Sequence, residues 1–226
     1  MACERAGFKT DLLHVNRLVE KPERFRDYDC FIVPGGFSYG DDLGSGRVFA
    51  NELRLRLLDS IREFVKAGKM VLGICNGFQV LVKSGLLPDP LAEGPPTVTL
   101  TFNDSGRFQD QWIRLKAVSG KCAWIAEGET LETAITHGEG KFVAPAATID
   151  RLEAAGQVVL KYDGGNPNGS LRDIAGICDP TGRVLGLMPH PEKHLDPTNH
   201  PRWSRGSEPR ALGLTLFRAA FERLSR

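Results

Sequence analysis

An excess of charge of either sign is missing: 29 Lys and Arg stand against 28 Asp and Glu, a formal net charge of +1. Nothing in that balance attracts a polyanion or an anionic surface, so neither nucleic acid nor membrane is expected as a partner. Also lacking is any uninterrupted apolar run near the ~18 to 20 residues that span a bilayer, and the first residues hold no signal-peptide core. Cysteine is sparse and unpaired in pattern. Five residues, an odd number with no C-x-x-C, argue against a disulfide framework or a zinc ribbon and for a reducing, cytoplasmic setting. Repeats and low-complexity tracts are absent as well. What remains is a globular chain of 226 residues, long enough for one sizeable core and read as a single domain over 1–226.

The most informative stretch runs from Val71 to Gln79, where an apolar run ends in Cys75 and a polar, helix-starting sequence follows. Lys69 to Ile74 has the length and aliphatic content of a strand buried on both faces, and Asn76 to Ser84 reads as a short helix ended by Gly85. Cys75 then stands on an elbow above the end of a sheet, and the first N–H groups of the helix favour negative charge beside it. A thiolate there would be a nucleophile. A cysteine alone is more simply a buried core residue, so the rest of the chain decides. Gly73 and Gly77 flank the elbow, as a close approach of backbone or substrate requires.

Upstream, Ala2 to Ala6 reads as a helix stopped by Gly7, Phe8 to Val15 as a strand, Lys21 to Tyr28 as linker or short helix, and Asp29 to Val33 as a buried strand. Pro34 to Gly46 follows with five glycines, a loop able to cradle a substrate with backbone N–H groups. It lacks the Lys-Ser/Thr ending of a phosphate loop. Val48 to Ala67 reads as one amphipathic helix capped by Gly68. Strand, helix and the strand into Cys75 make a right-handed βαβ unit, whose ligands bind beyond the carboxyl ends of the strands. After a loop from Pro88 to Pro96 the pattern changes. Thr97 to Phe102, Trp112 to Val118 and Cys122 to Ile125 read as shorter, antiparallel-style strands, and glycine-flanked His137 precedes Lys141 to Val143. Thr148 to Ala155 reads as a helix, Gln157 to Tyr162 as a strand, and Ile174 to Cys178 as the hairpin partner of Val184 to Met188. Leu195 to Pro209 reads as a surface loop and Arg210 to Leu224 as a closing helix.

The strand ending at Met188 runs into Pro189-His190-Pro191-Glu192. In extended backbone, residues two apart project to the same side, so Glu192 can hold one nitrogen of His190 and leave the other for a partner. That is the base and orienter of a triad, and Cys75 supplies the nucleophile. His190 and His194 also have a spacing that suits zinc on a helix, but Pro191 argues against such a helix and no clear third ligand is present, so no metal is expected.

Taken together, Gly73 to Gln79 with the distant His190-x-Glu192 resembles the class I glutamine amidotransferases. Pro34 to Asp41, His137 to Gly140, Asn166 to Ser170 with Ile174 to Ile177, and Met188 to Glu192 are most similar to the glutaminase subunits of phosphoribosylformylglycinamidine synthase in purine biosynthesis. The resemblance spans nearly the whole chain. It implies a mostly parallel open α/β sheet of flavodoxin-like class, flanked by helices, with a smaller antiparallel excursion. It also implies that Cys75 attacks glutamine, that His190 is base and then acid, and that Glu192 orients it. The N–H groups of Gly36 and Asn76 would form the oxyanion hole, Gln79 would contact the substrate, and Asn103 to Phe108 would help hold its amino acid end. No cofactor is implied in this chain. ATP and magnesium belong to a larger synthetase subunit that receives the ammonia, with a small accessory subunit as a further partner.

Two departures accompany the resemblance. Members usually begin with a further strand before the helix that here starts at Met1, so a first strand lost by truncation or a misplaced start is the expectation. Gln111 stands where an arginine commonly precedes Trp112. The competing functions are another class I amidotransferase, a cysteine hydrolase or peptidase on a similar sheet, and a non-catalytic interaction subunit.

Overall fold

In the computed structural model, residues 1–40, 43–205 and 212–225 are described. Nine strands are named among them. Seven form one sheet in the order β1 (Cys30–Val33), β2 (Met70–Ile74), β9 (Val184–Leu187), β8 (Ile174–Cys178), β7 (Val158–Asp163), β4 (Gln109–Ala117) and β5 (Thr130–His137). Pairing is parallel through β1, β2 and β9 and antiparallel from β9 to β5. The remaining strands, β3 (Thr99–Thr101) and β6 (Lys141–Val143), make a small antiparallel sheet. The expected α/β sheet is present but mixed rather than mostly parallel: two of its six pairings are parallel and four antiparallel, the antiparallel part being continuous with the parallel strands and larger than an excursion.

The βαβ unit forms as read. The crossover between β1 and β2 is two helices, α3 (Arg47–Arg56) and α4 (Leu58–Lys66), where one was expected. They part at Leu57, whose φ of −129° is not helical, although no Gly or Pro stands there. Ile61, Phe64 and Val65 of α4 are buried, each contributing roughly 1.5–3 kcal/mol of apolar burial. Helix α5 (Asn76–Lys83) packs on β1, β2 and β9. Helices α1 (Ala2–Ala6) and α7 (Leu214–Leu224) pack on each other, and α6 (Ala146–Ala154) leads into β7.

Several expectations are corrected. Residues 8–14 form no strand. Phe8 turns its ring onto Phe221, Leu12 is 99% exposed, and the alternation therefore has no buried face to serve. The chain instead enters helix α2 (Val15–Glu20), capped by His14 Nδ1 accepting from the Asn16 N–H. Cys122 to Ile125 is not a strand either. This segment packs as turns on the Asp179–Arg183 turn, where Gly182 O accepts from the Ala123 N–H and Arg183 O from the Trp124 indole N–H, both at 2.8 Å. Strand β5 went unread, although the β-branched residues of Thr130-Leu131-Glu132-Thr133-Ala134-Ile135 carry its signal. The closing helix begins at Leu214. Arg210, most of the preceding loop's end (206–209), and Asp41 and Asp42 of the glycine loop lie outside the described residues. No helix among the described residues is long and apolar enough to cross a membrane.

Candidate active site

Every residue of β2 is buried, and the strand ends in a backbone conformation that few side chains adopt. Cys75 has φ 50° and ψ −107°, a strained geometry of the order of 1–3 kcal/mol that persists only because its surroundings enforce it. Its N–H donates to Leu187 O at 2.8 Å, tying the elbow to β9, and its carbonyl accepts the Gln79 N–H to start α5. The two flanking glycines are required by contact. A Cβ on Gly77 would lie 1.9 Å from Val33 O, and one on Gly73 would lie 2.7 Å from Gly77 O. Cys75 is 5% exposed, and its Sγ donates to Thr136 O at 3.8 Å.

His190 arrives from β9 and is fixed from both sides of its backbone by β5. Its N–H donates to Ala134 O at 2.9 Å, and its carbonyl accepts the Thr133 hydroxyl. The side chain follows the reading from extended geometry: Nδ1 lies 2.6 Å from Glu192 Oε1. A carboxylate at that nitrogen holds the proton on Nδ1 and leaves a lone pair on Nε2, and this buried Nε2 has no hydrogen-bond partner among the described residues. His194 does not join it. Its Nδ1 meets Glu132 O, and its ring packs with Trp112 and His200.

A cavity of about 290 Å³ joins these parts, lined by Gly35, Gly36, Phe37, Ser45, Cys75, Gln79, the Thr136–Glu139 segment, His190, Glu192 and Lys193. Five of the six site residues read from the sequence line it. The sixth, Asn76, is the buried first residue of α5, where a backbone N–H has no intrahelical acceptor. Its side chain donates to Gln79 Oε1 at 3.0 Å, while Gln79 Nε2 crosses the cavity to Glu139 O at 2.6 Å. Gly36, with φ 137°, has open space where a Cβ would stand, so its backbone is bare to the cavity.

Sequence reasoning did not see the packing of Gly35 or the wall opposite Cys75. A Cβ on Gly35 would lie 2.8 Å from His190 Cε1 and 3.4 Å from Cys75 Cβ, so this glycine is the surface against which both side chains rest. The wall is held by Lys193 Nζ on Thr136 Oγ1 at 2.9 Å and by Asn103, whose Nδ2 donates to His137 O and Arg107 O at 2.9 Å each. Burial first, and the neighbouring His190 second, push the His137 imidazole down to about 4, so it is neutral near pH 7.

A cysteine on a strained elbow and a histidine held by a carboxylate at one ring nitrogen share one cavity. Residues 1–222 match the family of CobB/CobQ-like glutamine amidotransferase domains. The chain belongs to that family. Among its relatives, the phosphoribosylformylglycinamidine synthase subunit PurQ of Dehalococcoides mccartyi is 43% identical over 96% of this chain and 88% of its own. The corresponding subunit of Treponema denticola is 42% identical over 86% of this chain and 82% of its own. Among solved structures, a chain of PurLQS from Thermotoga maritima is 34% identical with a TM-score of 0.68, covering 88% of this chain and 81% of that one. The glutaminase domain of Trypanosoma brucei CTPS with bound acivicin, 17% identical with a TM-score of 0.58 over 99% of this chain and 84% of its own, shares the fold. In this glutamine amidotransferase, then, the elbow and the His-x-Glu segment are brought together by parallel neighbours β2 and β9.

Proposed function

We propose that the chain, acting as one domain, hydrolyses glutamine to glutamate and ammonia and delivers the ammonia to a synthetase subunit. That partner would convert formylglycinamide ribonucleotide to the amidine with ATP and magnesium, in the cytoplasm and with a small accessory subunit. Support comes from the similar PurQ subunits and the similar chain of PurLQS. The observation that carries the chemistry is His190, bonded to Glu192 at 2.6 Å through Nδ1, its Nε2 unpartnered, in the cavity that Cys75 also lines.

The steps follow from those positions. Cys75 Sγ attacks the carboxamide carbon as its proton passes to His190 Nε2. The oxyanion is met by the N–H groups of Gly36 and Asn76, each of a kind whose loss costs ~2.7 to 4 kcal/mol of barrier. The C–N bond breaks as His190 returns the proton to the leaving nitrogen, giving ammonia and a glutamyl thioester. Water, deprotonated by His190, cleaves the thioester to glutamate and restores the thiol, with Glu192 keeping the ring in one tautomer throughout. Gln79 contacts the substrate with the donor capacity that Glu139 O leaves free. ATP and magnesium are assigned to the partner and no step here uses them.

The test is ammonia release from glutamine by the chain and by Cys75→Ala, each with and without the synthetase subunit, its ribonucleotide substrate and ATP. Release by wild type that is slow alone, rises with the partner and is lost in Cys75→Ala is expected. Rapid turnover by the isolated chain counts against partner control. A folded protein that releases no ammonia in the complete complex overturns the reading.

A further inference from the structure

His137 lines the cavity, is 3% exposed, and has a buried Nε2 with no hydrogen-bond partner among the described residues. Its tautomer can be deduced. Asn103 Nδ2 bonds only to carbonyl oxygens, those of Arg107 and His137, so that atom is the amide nitrogen and Oδ1 the acceptor. Oδ1 receives the Gly140 N–H at 3.0 Å and lies 3.2 Å from His137 Nδ1. An acceptor there requires the proton on Nδ1, which leaves Nε2 a lone pair. The ring can lie in this position only because residue 140 has no side chain, since a Cβ would stand 2.5 Å from Nε2. A buried acceptor with no donor is costly in a finished structure, and one on a residue that lines the cavity is understood if the ligand supplies the donor on binding.

We infer that His137 accepts a hydrogen bond at Nε2 from an N–H of the bound substrate, and that Asn103 is the positioning residue that fixes the required tautomer. The assignment rests on the glutaminase reading, in which glutamine offers two such donors, the α-ammonium and the carboxamide. A neutral ring suits the role, because an imidazolium would repel the ammonium and has no lone pair. The same Asn103 bonds shape the turn whose Glu139 carbonyl holds Gln79, so one buried side chain sets two groups of the cavity.

Two substitutions separate binding from structure. Asparagine places its amide nitrogen near the position of Nδ1, keeping the bond to Asn103 and losing the Nε2 acceptor. Glutamine places an amide oxygen near Nε2 and loses the bond to Asn103. In the assembled complex, His137→Asn is expected to raise KM for glutamine roughly tenfold, the loss of one hydrogen bond to a polar or charged group, while its melting temperature stays near wild type. His137→Gln is expected to keep KM within about threefold and to melt earlier. A merely structural histidine gives the opposite order. Repeating the comparison with glutaramate, which lacks the α-ammonium, identifies the donor: a deficit that disappears assigns the ammonium, and one that persists assigns the carboxamide. Equal KM for wild type and His137→Asn, or His137→Gln no better than His137→Asn, overturns the inference while wild-type turnover leaves the glutaminase reading intact. No glutamine hydrolysis by the wild-type complex overturns both.

Discussion

On the β2 side of the cavity, Cys75 is held by backbone pressed against backbone: Gly77 against Val33 O, Gly73 against Gly77 O, and the Cys75 N–H on β9. On the β5 side, His190 and the Thr136–Gly140 wall are held by hydrogen bonds donated by Thr133, Lys193 and Asn103 and by the His190 N–H donating to Ala134 O. The first arrangement is steric and all-or-none, because close-packed backbone has nowhere to move. The second is a sum of contacts, each worth about 0.5–1.5 kcal/mol net. The difference implies that substitutions on the elbow end folding, whereas those on the wall grade activity.

The sharpest way to break this contrast is Gly77→Ala. Its Cβ would stand 1.9 Å from Val33 O, so α5 or β1 must shift and the strained elbow loses its support. We expect a loss of more than about 4 kcal/mol, read as insoluble protein or a collapsed melting transition. A soluble variant with a wild-type melt would show that the elbow tolerates movement. Next in size is Glu192→Gln, whose amide oxygen can still accept from Nδ1 but carries no charge to balance an imidazolium. A fall in kcat/KM of roughly 10²- to 10³-fold at unchanged melting temperature is expected from a triad whose orienter is altered. Equal kinetics would mean that the 2.6 Å contact holds the ring without aiding proton transfer.

The same contrast explains what the sequence makes legible. The elbow is written locally: an aliphatic run, Cys75, and two glycines within four residues of each other report a backbone conformation directly. Glu192 is legible for the same reason, two residues from His190 in extended chain. The wall is not. Its contacts join Asn103 to His137 and Thr133 to His190, residues 34 and 57 positions apart, through single side-chain bonds to backbone that leave no periodic trace. Gly35 went unrecognised because loop glycines are common and only the folded cavity shows its Cα against His190 and Cys75. Residues 8–14 fail in the other direction, since alternation alone makes no strand without a ladder partner or a buried face.

The smallest effect is expected from Thr133→Val, and it tests the graded side most directly. Thr133 is 0% exposed, and its hydroxyl donates to the carbonyl of His190, one residue from the bond between Ala134 O and the His190 N–H. Valine keeps the shape and removes one of that carbonyl's two donors, leaving the Lys193 N–H at 3.0 Å. Because the carbonyl keeps the Lys193 N–H and the Ala134 bond remains, the loss is the net worth of one hydrogen bond, about 0.5–1.5 kcal/mol. For a chain of this length that is a melting temperature lower by ~1–6 °C. Activity should fall only a few-fold, because Glu192 still orients the ring. Loss of activity as deep as that of Glu192→Gln would instead mean that β5 sets the reach of His190 toward Cys75, making the wall as unforgiving as the elbow.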